Sequence, residues 1–327
     1  MTTIDPSSRI AIVGAGISAL TCAQILRSAG FSPTLFEKSA GYGGRVSTRH
    51  LEDGIAFDHG AQYVTAKTCG FKTYLSEAEQ RGCAGMWSPR VSKGSREQDW
   101  FVGRPAMRDL VNPLISNLDI KYHAYVSRIY RYRRGWCLEL EDGGVPLYFD
   151  NVVVSAPAPQ TLVLIGRDTE ISVRISEVEM SPCWALIAAF DRRFKTDLDV
   201  ITDENSDLTW LVRNNSKLDR SQHIESWVAH VSPQWSLNNI ERDRDSVLPE
   251  LLNMLERKLG RRLPAPTFAR AHLWRYALTS IPLGELFLST SDHTLTAIGD
   301  WCLGSRVECA YQSGIAAGKY LVGAFAT

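Results

Sequence analysis

The apolar run Arg9-Ile10-Ala11-Ile12-Val13 stops abruptly at Gly14. A short apolar run closed by glycine reads as a buried strand. From Ile17 the period changes. Ala19, Cys22, Leu26 and Ala29 fall near helical spacing and form a face of small side chains that can lie close on a sheet. Gly30 ends this helix, since glycine takes a left-handed cap at no steric cost. Ser32-Pro33-Thr34-Leu35-Phe36-Glu37 follows as a second strand with an acid at its end. Strand, helix and strand in succession predict a βαβ unit.

Residues 41–65 are rich in glycine and polar groups and read as a functional loop. The pattern predicts a helix over 71–82, irregular chain over 85–100, and a helix opened by Gly103-Arg104-Pro105-Ala106-Met107, where Pro105 suits a first turn. Strands are expected at 121–129, 136–140, 147–149 and 152–156, with a turn at Gly143-Gly144. Residues 160–280 mix strands and helices, the clearest helix being 245–259. The chain closes with a strand at 294–298, a Gly299-Asp300 turn and a helix over 306–325. No repeat and no low-complexity segment interrupts it.

Length and composition narrow the classes. At 327 residues the chain is long enough for about two domains. Acidic and basic residues balance at 36 each, which argues against a nucleic acid or an anionic membrane as a partner held by bulk charge. The seven cysteines are odd in number and form no C-x-x-C pair, so neither a disulfide framework nor a zinc site is expected. A reducing, cytoplasmic setting fits that cysteine usage. No apolar run approaches the ~20 residues of a membrane span.

Four segments carry chemistry. Gly14-x-Gly16-x-x-Ala19 follows a strand and opens a helix. Gly14 permits the tight turn, Gly16 lets a pyrophosphate reach backbone N–H groups at a positive helix end, and Ala19 allows close helix–strand contact. Glu37 lies where an acid accepts hydrogen bonds from ribose hydroxyls and disfavours a 2′-phosphate. Gly43-Gly44-Arg45 lets the chain run against a bound dinucleotide and offers a forked cation to its pyrophosphate. Asp58-His59-Gly60-Ala61-Gln62-Tyr63-Val64-Thr65 brings backbone, amide and phenol toward a flat ring, or is an ordinary strand with a buried tyrosine. Gly299-Asp300-Trp301, followed by the helix from Arg306-Val307-Glu308, places a carboxylate beside a sugar-alcohol chain and a helix N-terminus at the pyrimidine end of a flavin. Ala310, Gly314 and Gly318 give that helix a narrow face for close packing on the sheet.

No G-x-S-x-G elbow occurs, so a hydrolase is not indicated. His272 reads as a hydrogen-bonded core or surface histidine before it reads as a base. Arg128, Arg131, Arg133 and Arg134, interleaved with Tyr130 and Tyr132, read as the wet face of a strand. Trp184, Trp210, Trp235 and Trp274 are core residues or the walls of a site for a flat substrate.

Together these segments resemble the flavin-containing amine oxidase superfamily, and within it the bacterial renalase-like enzymes. The resemblance is carried by Ile12-Val13-Gly14-Ala15-Gly16-Ile17, Leu35-Phe36-Glu37-Lys38-Ser39, Gly43-Gly44-Arg45 and Gly60-Ala61-Gln62-Tyr63-Val64-Thr65. Trp210-Leu211-Val212-Arg213-Asn214, Gln234-Trp235-Ser236, Gly299-Asp300-Trp301-Cys302-Leu303 and Arg306-Val307-Glu308 extend it over nearly the whole chain. It implies an α/β fold of two domains. One is a discontinuous, Rossmann-like FAD-binding domain over 1–68, 102–158 and 285–327. The other is a mixed α+β substrate domain over 69–101 and 159–284, as in amine oxidases and p-hydroxybenzoate hydroxylase.

The resemblance further implies non-covalent FAD, held by Gly14, Gly16, Ile17, Ala19, Glu37, Lys38, Gly44, Arg45, Ala61, Gln62, Val126, Asp300 and Val307. It implies a substrate site at Tyr63, Val64, Thr65, Ala66, Lys67, Trp100, Val102, Trp184 and Arg306, with no metal. The implied reaction is oxidation of 2- or 6-dihydronicotinamide isomers of NAD(P)H to NAD(P)+, with O2 reduced to H2O2. Hydride transfer needs the donor carbon stacked on flavin N5 and little acid–base help, which accords with the lack of an obvious catalytic base. An amine oxidase, a desaturase of apolar polyenes and a non-enzymatic flavin-binding module remain the alternatives at this stage.

Overall fold

The computed structural model describes residues 8–51, 54–92 and 98–326. The chain divides into two compact units. The first comprises residues 1–44, 111–180 and 278–327, and the second 45–110 and 181–277. These boundaries put 45–68 and 102–110 in the second unit and 159–180 and 278–284 in the first, where the sequence reading assigned them the other way. The reason lies in pairing: the hairpin Arg49–His50/Ala56–Phe57 belongs to the packing of the second unit, while the helices Ala158–Ile165 and Ser172–Ser176 complete the apolar cluster of the first.

In the first unit a six-stranded sheet runs in the order Leu288–Ser289, Leu295–Ala297, Asn151–Val154, Ile10–Val13, Thr34–Phe36, Asp119–Lys121. All neighbours are parallel except the first pair. Ile10–Val13 is buried throughout, as its unbroken apolar pattern requires of a central parallel strand. The helices Ile17–Ser28 and Val307–Ala326 pack on each other. A Cβ on Gly314 would stand 2.3 Å from the Ser18 carbonyl oxygen, so only glycine permits that approach. The expected 121–129 strand is two elements, Asp119–Lys121 in the large sheet and Val126–Tyr132 in a three-stranded antiparallel meander with Gly135–Leu140 and Leu147–Phe149.

The second unit is built on a five-stranded antiparallel sheet in the order Val200–Thr202, Leu208–Arg213, Glu225–Val231, Glu179–Phe190, Phe268–Ile281. The helix Arg244–Leu259 buries Val247, Leu251, Met254 and Leu255 in the same cluster as Trp184, Leu186, Trp227 and Ala271 from the sheet. Asp243 caps it by accepting from the Asp245 and Ser246 N–H groups, and Gly260 closes it in the left-handed region at φ 63°. The helix predicted over 71–82 is Cys69–Gln80. Residues 85–100, expected to be irregular, contribute the paired strands Ala84–Trp87 and Trp100–Gly103. No regular helix opens at 103–107; a 3-10 turn starts at Met107 instead.

Candidate functional site

The first unit gathers one group of the predicted residues. Gly14 follows Val13, and Gly299 follows the Ala297-Ile298 end of a strand that the Asn151–Val154 strand separates from Val13. Both turns therefore leave the same edge of the sheet about 10 Å apart, two strand spacings. Each is followed by one of the two packed helices. Gly14 has φ 101°, its N–H donates to the Phe36 carbonyl at 2.8 Å, and an added Cβ would lie 2.8 Å from the Ser155 carbonyl oxygen. The space beside Gly16 is open, with nothing within 4 Å of a Cβ built there.

Gly43 bridges to Gly16 and donates to the Ala15 carbonyl at 2.8 Å, while Gly44, at φ 56°, brings its side-chain position to 3.4 Å from the Gly16 Cα. Two glycine turns thus lie against each other at the start of the Ile17–Ser28 helix, which no side chain caps and whose first turn holds no acid. Glu37 is buried, and its two carboxylate oxygens accept from the Ala15 and Ser39 N–H groups at 2.9 and 2.8 Å. The Lys38 ammonium lies 5.9 Å from the centre of the Tyr125 ring, a cation–aromatic contact. Ala124 donates to the Glu37 carbonyl, which brings the Val126 segment alongside. Ile17 and Ala19 are buried under the turn, and Asp300 sits almost buried in the turn Asp300–Cys302. Val307 starts the last helix, and Arg306 pairs with the buried Glu308.

These groups fit FAD. An uncapped helix N-terminus with open space at Gly16 is a cradle for a pyrophosphate. A carboxylate already oriented by two backbone donors keeps further lone pairs for ribose hydroxyls. Glu37→Ala is expected to weaken FAD binding by about 1–3 kcal/mol, the cost of a lost charged hydrogen bond. Equal affinity of parent and variant in a flavin titration would count against this assignment.

The second unit holds the other group. Gly60 is glycine because a Cβ would stand 2.0 Å from the Arg45 carbonyl oxygen, which also accepts the Ala61 N–H at 2.9 Å. The Arg45 guanidinium donates to the Ala277 carbonyl at 3.0 Å. The Gln62 side chain is likewise committed. It donates to the Gly60 and Asp58 carbonyls and accepts from the Lys217 ammonium at 2.9 Å.

Lys217 also donates to Asp58 at 3.1 Å, and Arg220 donates to the same oxygen at 2.7 Å. The other Asp58 oxygen accepts from Thr48 at 2.8 Å and from the Met107 N–H at 2.9 Å. Burial pushes the Asp58 carboxyl up, but the Lys217 and Arg220 charges outweigh it and hold the group well below the usual carboxylate range. Burial pulls Lys217 down to about 8 against the opposing charge of Asp58. No spacing in the sequence linked Asp58 to Lys217 and Arg220.

Beside this network Tyr63 stacks on Trp100 with ring centres 4.0 Å apart and planes 14° apart, and on Trp210 at 5.5 Å. Trp87 adjoins Trp100 at 5.7 Å, and the Trp210 indole N–H is buried without a partner. Burial raises the Tyr63 phenol. Thr65 and Ala66 are half-buried and Lys67 is exposed. Three predicted substrate residues are buried. Val102 is fully buried. Val64 is buried and exchanges both backbone hydrogen bonds with Phe101. Trp184 is 2% exposed, fills the core beneath the Arg244–Leu259 helix and donates its indole N–H to the Asn239 carbonyl at 3.1 Å. Its large apolar area draws Trp184 into the core.

Among the described residues no three or more His, Cys, Asp or Glu are arranged to hold a metal, and no helix is long and apolar enough to cross a membrane.

Comparisons with known proteins agree with this geometry. Residues 12–76 match the model of the NAD(P)-binding Rossmann-like domain, and residues 70–321 match that of the flavin containing amine oxidoreductases. The chain is 24% identical to renalase of Mus musculus over 297 residues, which cover 83% of this chain and 85% of that protein. It is 39% identical to an L-amino-acid oxidase of Siganus canaliculatus over 79 residues, covering 21% of this chain and 15% of that protein. The solved structure of wild-type putrescine oxidase bound to putrescine shares the fold, with a TM-score of 0.70 at 12% identity, covering 97% of this chain and 99% of that one. The chain belongs to the flavin-containing amine oxidoreductase family, and it is an oxidoreductase that uses FAD.

Proposed function

We propose that this flavoenzyme oxidises 2- or 6-dihydronicotinamide isomers of NAD(P)H to NAD(P)+, with O2 as electron acceptor. The observation that carries the reading is the parallel stack of Tyr63 on Trp100, flanked by Trp210 and Trp87. Stacked aromatic faces suit a flat, weakly polar ring. The extended likeness to renalase supports the same reading. FAD held by these residues would supply the hydride acceptor and the route for two electrons to O2, giving H2O2.

The protein's contribution is binding and orientation. Gly14, Gly16, Ile17, Ala19, Glu37, Lys38, Gly44, Arg45, Ala61, Val126, Asp300 and Val307 are assigned to FAD, held without a covalent bond. Tyr63, Thr65, Ala66, Lys67, Trp100 and Arg306 are assigned to substrate. Lys217 is the positioning residue. Its bonds to Asp58 and Gln62 hold the chain that carries Tyr63.

The test is anaerobic mixing of the FAD-loaded protein with each dihydronicotinamide isomer and, separately, with putrescine and other primary amines. Bleaching of the flavin band near ~450 nm by the dihydronicotinamides alone, with H2O2 formed once air is admitted, is the expected result. Bleaching by amines alone would make the protein an amine oxidase and end this reading.

A further inference from the structure

The second unit contains a cationic strip that the assignments above leave unused. Arg49 stands opposite Phe57 in the hairpin, and His59 follows Phe57 by two residues. A strand shows alternate residues on one face, so Phe268, Arg270, His272 and Trp274 share a face of Phe268–Ile281. The two rows meet. Phe57 stacks on Phe268 with centres 5.8 Å apart, His59 meets His272 edge-on at 4.9 Å, and His59 stacks on Trp274 at 5.1 Å. Pairing Phe57 with Phe268 and His59 with His272 sets Arg49 and Arg270 in one strip. Arg244 opens the neighbouring helix, and its charge reaches Arg49 and His272.

Two observations show that the strip is incomplete. The Arg49 Nε is a buried atom without a hydrogen-bond partner, and His59, whose ring meets the Phe57 backbone, is only 6% exposed. Among the described residues Arg49, Arg244 and Arg270 have no carboxylate partner. Asp58, the acid of this segment among the described residues, is taken by Lys217 and Arg220. Converging like charges with an unsatisfied donor call for a counter-charge rich in acceptors. A guanidinium fork matches a phosphate in shape as well as charge, and a neutral imidazole N–H adds a donor.

We propose that Arg49, Arg270 and His59, with Arg244 at the rim, form an anion site that takes a phosphate group, and that in turnover this is the phosphate of the pyridine nucleotide. Only the second half of that statement rests on the dihydronicotinamide reading. The strip would favour an anionic nucleotide and disfavour an ammonium substrate by simple repulsion.

The test uses the full FAD-loaded chain. Calorimetric titration with inorganic pyrophosphate measures the site directly. Anaerobic flavin reduction compares a dihydronicotinamide mononucleotide with its riboside, which lacks the phosphate. Arg270→Gln is expected to weaken pyrophosphate about tenfold or more and to erase the advantage of the nucleotide over the riboside, as loss of a charge-assisted hydrogen bond predicts. Arg270→Lys should recover part of both. Arg244→Gln, at an exposed position, serves should Arg270→Gln fail to fold.

Pyrophosphate that does not bind the parent at millimolar concentration, or binds parent and variants alike, overturns the anion site. If nucleotide and riboside then reduce the flavin equally, the substrate reading survives without it. If pyrophosphate binds and Arg270→Gln loses it, but neither dihydronicotinamide reduces the flavin, the anion site stands and the substrate reading falls.

Discussion

Asp58→Ala is expected to destabilise the protein by about 3–5 kcal/mol, because it leaves buried cations without their counter-charge. Asp58 and the Lys217 side chain are both fully buried, and the Arg220 side chain is 2% exposed. One carboxylate serves both cations and also receives Thr48 and the Met107 N–H. Removing it strands four donors at once. Against a total stability of about 5–15 kcal/mol, such a loss takes the variant to the edge of folding at 37 °C. Urea unfolding at pH 7.5 measures it. Lys217→Met in the Asp58→Ala background should restore part of the loss, since one stranded charge is then gone. A shift below about 1 kcal/mol in Asp58→Ala, read from that unfolding midpoint, would mean that water already reaches the network.

Stability should also fall steeply between pH 6.5 and pH 4. Burial is the largest cause in each of three cases: it lowers His59 to about 4, His230 to about 4 and His272 to about 3. An unfolded histidine titrates near 6.5. Below that pH the unfolded chain binds protons that the folded chain refuses, so the unfolded state gains. The stability these neutral rings contribute is complete above about pH 6.5 and is lost as pH falls toward the folded values. Each ring that stays neutral steepens the loss by about 1.4 kcal/mol per pH unit.

The rings are locked in place. The His59 carbonyl accepts from His230 Nε2 and from the Trp274 indole at 3.1 Å each, and the Arg49 charge adds to the burial of His59. The measurement is urea unfolding at pH 7, 6, 5 and 4.5 in a buffer free of phosphate. A flat profile from pH 7 to pH 5 would show that the rings protonate in the folded state. His59→Gln should flatten part of the slope.

What the sequence determined by itself is what neighbours in the chain decide. A four-residue apolar run ending in glycine has few options besides a buried strand and a tight turn, so the Ile10–Val13 strand, the Gly14 turn and the helix from Ile17 were legible. Glu37 could be singled out because a strand end lies a fixed distance from the glycine turn. The small residues of the last helix announced a close approach, but its partner was misjudged: Gly314 and Gly318 meet the Ile17–Ser28 helix where the sheet was expected.

Tertiary structure alone decided who meets whom across long separations. The strands Ala84–Trp87 and Trp100–Gly103 are short and hold glycine and polar neighbours, so they gain strand structure only by pairing with each other. A tryptophan carries the same signal in a core as on a wall, and only packing sent Trp184 inward while Trp100 stacked on Tyr63. Nothing along the chain marked Lys217 and Arg220 before the fold buried them on Asp58, and Arg49 and Arg270, far apart in sequence, come into one strip only where two strand faces meet. Periodicity and backbone freedom act within a few residues. Desolvation and charge pairing act through space, and they come into force only when distant segments close on one another.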